Sequence, residues 1–222
     1  LTSPLLELRQ LSCERDERIL FSRLDTQCFA GDLVQVVGPN GAGKTSLLRC
    51  LAGISNDYHG QILWQGQPVS HCRWEYARSL LFLGHLPGIK KALTPLENLR
   101  WYAALNRPTA ETELLSALTA VGLYAYEETP CYQLSAGQLR RVALARLYLS
   151  DARLWILDEP FTAIDKKGVA DLQTLLTRHR ERGGLVILTS HQDLPLIDLK
   201  RICLSDFQIA VANEACYDPV RR

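Results

Sequence analysis

The octapeptide Gly38-Pro39-Asn40-Gly41-Ala42-Gly43-Lys44-Thr45 fits the pattern G-x-x-x-x-G-K-[ST]. Just before it, Leu33–Val37 is a short apolar run rich in β-branched residues that stops at Gly38. Just after it, residues 46–52 place Leu47, Leu48 and Leu51 at helical spacing. The local order is strand, glycine loop, helix. Glycines let the backbone curl so that successive N–H groups face an anion, and the following helix directs its positive end at the same point. Gly38, Pro39, Asn40, Gly41, Ala42, Gly43, Lys44, Thr45 and Ser46 therefore read as a phosphate-binding loop. Lys44 adds a point charge and Thr45 a magnesium ligand. Kinases, GTPases and many ATPases share such a loop, so it establishes nucleotide binding without selecting a reaction.

Further along, Leu154–Leu157 and Leu185–Thr189 read as buried strands, each ending in polar residues. Between them a helical stripe of Val169, Leu172, Leu175 and Leu176 ends at Gly183 and Gly184. Strands alternating with helices imply a parallel α/β sheet whose ligands sit at the carboxyl ends of the strands. The middle differs: residues 96–105 and 111–121 are both helical by pattern, the second stopping at Gly122. Residues 90–148 are thus expected to form a helical subdomain, with 1–89 and 149–222 making the nucleotide-binding core of a single domain. Ahead of the loop, residues 5–11 and 19–28 look like strands around a turn at 15–17. Residues 61–64 with Gly66-Gln67-Pro68 add another strand and turn, so a small antiparallel sheet is expected beside the core. No internal repeat or low-complexity linker is visible.

At 222 residues and 47% hydrophobic, the chain can bury one sizeable core or two small joined ones. Lys plus Arg at 25 against Asp plus Glu at 24 leaves +1, so no general field favours nucleic acid or an anionic membrane. Any such partner must be recognised locally. No apolar stretch approaches the roughly 20 residues of a spanning helix, and residues 1–10 lack a basic segment followed by an apolar signal core. The expectation is a chain that neither spans a bilayer nor is exported. Cys13, Cys28, Cys50, Cys72, Cys131, Cys203 and Cys216 are scattered, odd in number and form no C-x-x-C pair. That fits reduced thiols in a cytoplasmic protein and argues against a zinc or c-type haem site.

Leu154-Trp155-Ile156-Leu157-Asp158-Glu159 is an apolar strand ending in two carboxylates. Paired with the phosphate loop, it would set Asp158 beside a magnesium shell and Glu159 where an attacking water could sit, as general base. Leu134-Ser135-Ala136-Gly137-Gln138 opens a helix over 139–149, with Ser135 at an N-cap-like position. This segment resembles the LSGGQ signature of ABC ATPases, with Ala136 replacing one glycine, and it precedes the Asp-Glu strand as in that family.

The resemblance implies an ABC-type P-loop domain with a RecA-like parallel core, hydrolysing ATP with Mg2+. It implies that Ser135 and Gly137 act across a dimer on ATP held by a second copy. Ala163-Ile164-Asp165 resembles the D-loop, and His191 the switch histidine that contacts the γ-phosphate. Two departures are visible. Where the family has Gln at the core-to-helical junction, the chain reads Leu83-Gly84-His85, which leaves His85 as the residue for metal or water coordination. The adenine-stacking aromatic is replaced by Arg15, whose planar guanidinium can stack or be a solvated turn residue.

Nearly end to end, the chain resembles the ATP-binding subunits of the cytochrome c maturation (haem exporter) branch. Cys13-Glu14-Arg15-Asp16-Glu17-Arg18, Leu63-Trp64-Gln65-Gly66-Gln67-Pro68, Gly84-His85-Leu86-Pro87-Gly88-Ile89-Lys90 and the stretch from Trp155 to Asp165 carry the likeness. The branch implies a peripheral ATPase on the cytoplasmic face of the bacterial inner membrane, with subunits CcmB, CcmC and CcmD. The work done is either haem export or release of the haem-loaded chaperone CcmE, with no haem bound by this chain. Trp101, Tyr102 and the pair Lys90-Lys91 offer a docking groove near the subdomain junction. The alternatives are a subunit of another ABC transporter, a clamp on nucleic acid, or a P-loop kinase. The clamp reading is disfavoured because fewer than about 100 residues separate Lys44 from Ser135, too few for a coiled-coil insertion. A kinase leaves Ser135, Asp165 and His191 without a role.

Overall fold

The computed structural model describes residues 3–105, 107–191 and 198–208; Cys216 and residues 211–222, about which the sequence is silent, lie outside them. β1 (Leu6–Arg15) and β2 (Arg18–Cys28) form a hairpin closed by Asp16 and Glu17, at φ 52° and 62°. Positive φ at both central residues is what a two-residue hairpin turn requires. β3 (Leu33–Val37) leads through the glycine loop into α1 (Lys44–Leu51). β4 (Tyr58–Trp64), β5 (Gln67–Pro68), α2 (Arg73–Arg78) and β6 (Leu80–Leu83) follow. Then come three helices, α3 (Pro95–Ala104), α4 (Glu111–Ala120) and α5 (Ala136–Tyr148). The chain returns through β7 (Leu154–Leu157), α6 (Lys166–Glu181), β8 (Leu185–Thr189) and β9 (Leu199–Cys203).

Two sheets result. One is antiparallel in the order β2-β1-β4-β5; the other is parallel in the order β6-β7-β8-β3-β9. The central strands β3, β7 and β8 are buried on both faces because both faces are covered, whereas β9, at the edge, exposes Lys200 and Arg201. Val34, Val36, Leu154, Ile156, Leu185 and Ile187 point into a core shared with α1 and the antiparallel sheet. The alternate residues Leu33, Trp155, Leu157, Val186 and Leu188 point into a second core with α5 and α6. A third cluster, including Leu96, Leu99, Leu114, Leu118 and Val142, joins α3, α4 and α5 into the helical subdomain.

Leu83 pairs with Leu157, Leu157 with Leu188, and Val36 with Thr189, so β6, β7, β8 and β3 end in register. The residues following those strands therefore gather at one edge, where an open α/β sheet binds its ligand. The structure departs from the sequence expectations mainly at boundaries. β1 runs on to Arg15, β4 starts at Tyr58, and α1 starts at Lys44. Three elements, α2, β6 and β9, were not anticipated by periodicity.

Candidate active site

Gly43 is the N-cap of α1, at φ 95°. A Cβ there would also lie 2.9 Å from the Leu20 Cβ on β2, so the loop packs against the hairpin only with glycine. Lys44 Nζ folds back over the loop and donates to the carbonyls of Gly38 (2.7 Å) and Pro39 (3.1 Å). Its ammonium is thereby held over the mouth of the loop.

The next residue reaches across to β7: Thr45 Oγ1 donates to Asp158 Oδ2 at 3.0 Å. Asp158 is buried, and its other oxygen accepts from Thr189 Oγ1 at 2.7 Å. Thr189 Oγ1 in turn accepts from the Glu159 N–H at 2.9 Å. Glu159 sits at φ 50°, a conformation that strains any residue with a Cβ and clusters at functional sites. Its Oε2 accepts from the His191 N–H at 3.2 Å, and its Oε1 lies 3.5 Å from His191 Nε2. That Oε1 is buried and has no hydrogen-bond partner among the described residues.

The sequence reading missed two members of this cluster. Thr189 is one, and Arg140 on α5 is the other. The Arg140 guanidinium, only 4% exposed, donates to the carbonyls of Gly84 (2.9 Å), Asp158 (2.8 Å) and Glu159 (2.8 Å). Burial pulls its pKa down from the ordinary value, and the Asp158 and Glu159 carboxylates pull it back up. A sequence signal for it existed: Arg140 shares the i, i+3, i+4, i+7 stripe with Ala143, Leu144 and Leu147, a buried face where a charge requires a reason.

Ser135 caps α5 with a capping box, its hydroxyl accepting from Gln138 N while the Gln138 side chain accepts from Ser135 N. Gly137 lies so close to the loop after β7 that a Cβ would stand 2.8 Å from the Ala163 carbonyl. Asp165 caps α6 through Gly168 N and pairs with Arg141 at 2.9 Å. The Gly168 N–H, and then the Arg141 charge, hold its carboxyl below the usual range. Among the described residues, no hydrogen bond joins Ser135, Gly137 or Asp165 to the phosphate loop. The site thus falls into two groups within one chain: Lys44, Thr45, Asp158, Glu159 and His191 together, and Ser135, Gly137 and Asp165 together.

Arg15, at the end of β1, is exposed and pairs with Asp16 at 3.4 Å. It also lines a pocket of about 180 Å³ with Ser46, Arg49, Ser55 and Asp57. His85 is exposed, one residue beyond the Gly84 carbonyl that Arg140 holds. Trp101 and Tyr102 line a larger groove of about 800 Å³ with Trp74, Phe82 and Arg146. Neither Lys90 nor Lys91 is among the groove walls; Lys90 instead stands over the Trp101 ring at 4.3 Å.

The ABC transporter family model matches residues 21–162, which include the phosphate loop, the Ser135 segment and the Asp158-Glu159 pair. The chain belongs to the ABC transporter family, and it is an ATP-hydrolysing transporter subunit. Among curated proteins it resembles "Cytochrome c biogenesis ATP-binding export protein CcmA" of Pseudomonas fluorescens, 56% identical over 87% of this chain and 92% of that protein. The protein of the same description from Yersinia pestis is 50% identical over 96% of this chain and 98% of its own length. Among solved structures, a putative ATP-binding protein of an ABC transporter from Pyrococcus furiosus superposes with a TM-score of 0.80. It is 26% identical and covers 92% of this chain and 99% of that one.

Proposed function

We propose that this chain is the ATP-hydrolysing subunit of a membrane complex serving cytochrome c biogenesis. The observation that carries the hydrolytic part is the continuous network Thr45–Asp158–Thr189–Glu159–His191 at the carboxyl edge of the parallel sheet. The likeness to CcmA proteins along nearly the whole chain carries the biological part.

The backbone N–H groups of the loop within residues 38–46, all but Pro39, and the Lys44 ammonium bind the β- and γ-phosphates, and Arg15 closes the pocket on the adenine side. The hydroxyl of Thr45 and the carboxylate of Asp158 are hard oxygen donors 3.0 Å apart, a set that suits Mg2+. When bound, Mg2+ supplies charge neutralisation on the phosphate oxygens; His85 is its remaining candidate ligand, in place of the family glutamine. Glu159 takes the proton of the attacking water, and His191 both orients that carboxylate and faces the γ-phosphate.

Ser135, Gly137 and Asp165 complete the nucleotide site of a second copy. The helical α5 N-terminus of one copy then meets the anion held by the other, in a two-fold sandwich. Closure of the sandwich moves residues 90–148 and, through the Trp101–Tyr102 groove, the membrane partners. Those partners are subunits of the CcmB, CcmC and CcmD type at the cytoplasmic side of the inner membrane, and the haem passes through them or leaves on CcmE. Among the described residues no helix is long and apolar enough to cross a membrane.

The test is Glu159→Gln in the membrane-extracted complex. ATP affinity is expected to stay within about 3-fold while turnover drops at least about 100-fold. Undiminished phosphate release would remove Glu159 as the base.

A further inference from the structure

We infer that Arg140 is a positioning residue for hydrolysis, because its guanidinium fixes the backbone from which Glu159 is aimed and ties that backbone to the junction at Gly84. The inference rests on the reading of Glu159 as the base.

Glu159 is held at three points. Its N–H donates to Thr189 Oγ1, its carbonyl accepts from Arg140 Nη2, and its carboxylate accepts from the His191 N–H. The preceding carbonyl, that of Asp158, accepts from the same Nη2. A residue at φ 50° keeps a strained conformation only when its surroundings over-determine it. Arg140, together with the Thr162 N–H, supplies the carbonyl side of that restraint, and Thr189 the amide side. The Thr162 N–H donates to the Glu159 carbonyl at 3.2 Å, closing the turn that leads the chain from β7 toward Ala163, and the fork adds the side-chain restraint that ties this turn to α5.

The third bond extends the argument. Nη1 reaches the Gly84 carbonyl at the end of β6, so one side chain of α5 grips the ends of two adjacent strands. Arg140 is therefore where the helix led by Ser135, the junction bearing His85 and the Asp158-Glu159 pair are mechanically joined. Arginine suits this role because a planar fork with donors fixed in direction can satisfy three carbonyls at once. A lysine ammonium keeps the charge and loses that geometry.

The experiment measures steady-state ATP hydrolysis and equilibrium ATP affinity of the membrane-extracted complex carrying Arg140→Gln, Arg140→Lys, Glu159→Gln or Arg140→Lys with Glu159→Gln. Arg140→Gln is expected to cut kcat by about 100-fold, with KM and ATP affinity within about 3-fold of the parent. Arg140→Lys is expected to recover part of the loss, to about 10-fold below the parent. Should Arg140→Gln fail to fold, Arg140→Lys alone decides: a parental kcat overturns the inference, and a lowered kcat at unchanged KM supports it. A loss of ATP affinity equal to the loss of kcat would also overturn it, since that marks a structural role. In the Glu159→Gln background Arg140→Lys should cause no further loss, because the two act through one carboxylate. If Glu159→Gln leaves turnover intact, the assignment of the base fails. If Glu159→Gln abolishes turnover while both Arg140 variants hydrolyse normally, the base stands and the role of Arg140 falls.

Discussion

His179 lies on α6 with its ring stacked on Trp155 of β7, centroids 3.7 Å apart and planes 10° from parallel. Burial lowers its pKa to about 4. In the unfolded chain a histidine binds its proton near pH 6.5. Between about pH 6.5 and 4 the unfolded state therefore holds more protons than the folded one, so stability falls as pH falls through that window and levels off below it. The ring is partly solvated, which reduces the loss to the order of 1–2 kcal/mol. Urea melts at pH 7.5 and 4.5 check this: His179→Leu should shrink the pH-dependent part of the stability, and an equal pH dependence in parent and variant would refute it. The same ring explains Gly184. A Cβ at that position would overlap His179, so Gly184→Ala is expected to destabilise the fold by about 1–3 kcal/mol, read as a lower thermal midpoint.

Two helices carry the same terminal device and allow structure to be separated from function. Thr94 caps α3 and Ser135 caps α5, each with a capping box. Thr94→Ala and Ser135→Ala should each cost about 1 kcal/mol of stability. Only Ser135→Ala should also slow hydrolysis, because of the two termini only that of α5 is proposed to meet a nucleotide; equal effects on turnover would refute that distinction. At this scale the sequence was legible wherever a motif was contiguous. Leu33–Val37, Leu154–Leu157 and Leu185–Thr189 were read with the observed bounds because strands buried on both faces are largely apolar runs, Gln35 being the one interior polar residue of the three. β6 escaped because, although as short and as apolar as β7, it has no carboxylate pair or glycine loop after it to mark its end. β9 escaped because Lys200 and Arg201 break its apolar pattern at an edge of the sheet.

Across the whole molecule, the parallel sheet collects at one edge residues that are distant in the chain. The order of the phosphate loop, the Ser135 segment, the Asp-Glu pair and His191 was readable, since each is a short local pattern. The grip of Arg140 was not. Its partners lie 56, 18 and 19 residues away, and only the register of β6 with β7 brings them together. The groove of Trp74, Trp101 and Tyr102 has a similar origin, being formed where α2, β6 and α3 meet. Its exposed aromatic rings are of the kind that anchor protein interfaces. Trp101→Glu is expected to release the chain from the membrane fraction while leaving ATP affinity within about 3-fold. Unchanged sedimentation with membranes would place the partners elsewhere.

The composite site is the claim on which the rest depends, and a crystal structure of the Glu159→Gln variant with ATP and Mg2+ tests it most directly. The expected result is a γ-phosphate cradled by residues 38–46 of one copy, with the Ser135 hydroxyl of a second copy about 3 Å from it. ATP bound in the loop with the leading end of every copy's α5 more than about 10 Å from any γ-phosphate, beyond the reach of direct contact, would contradict it.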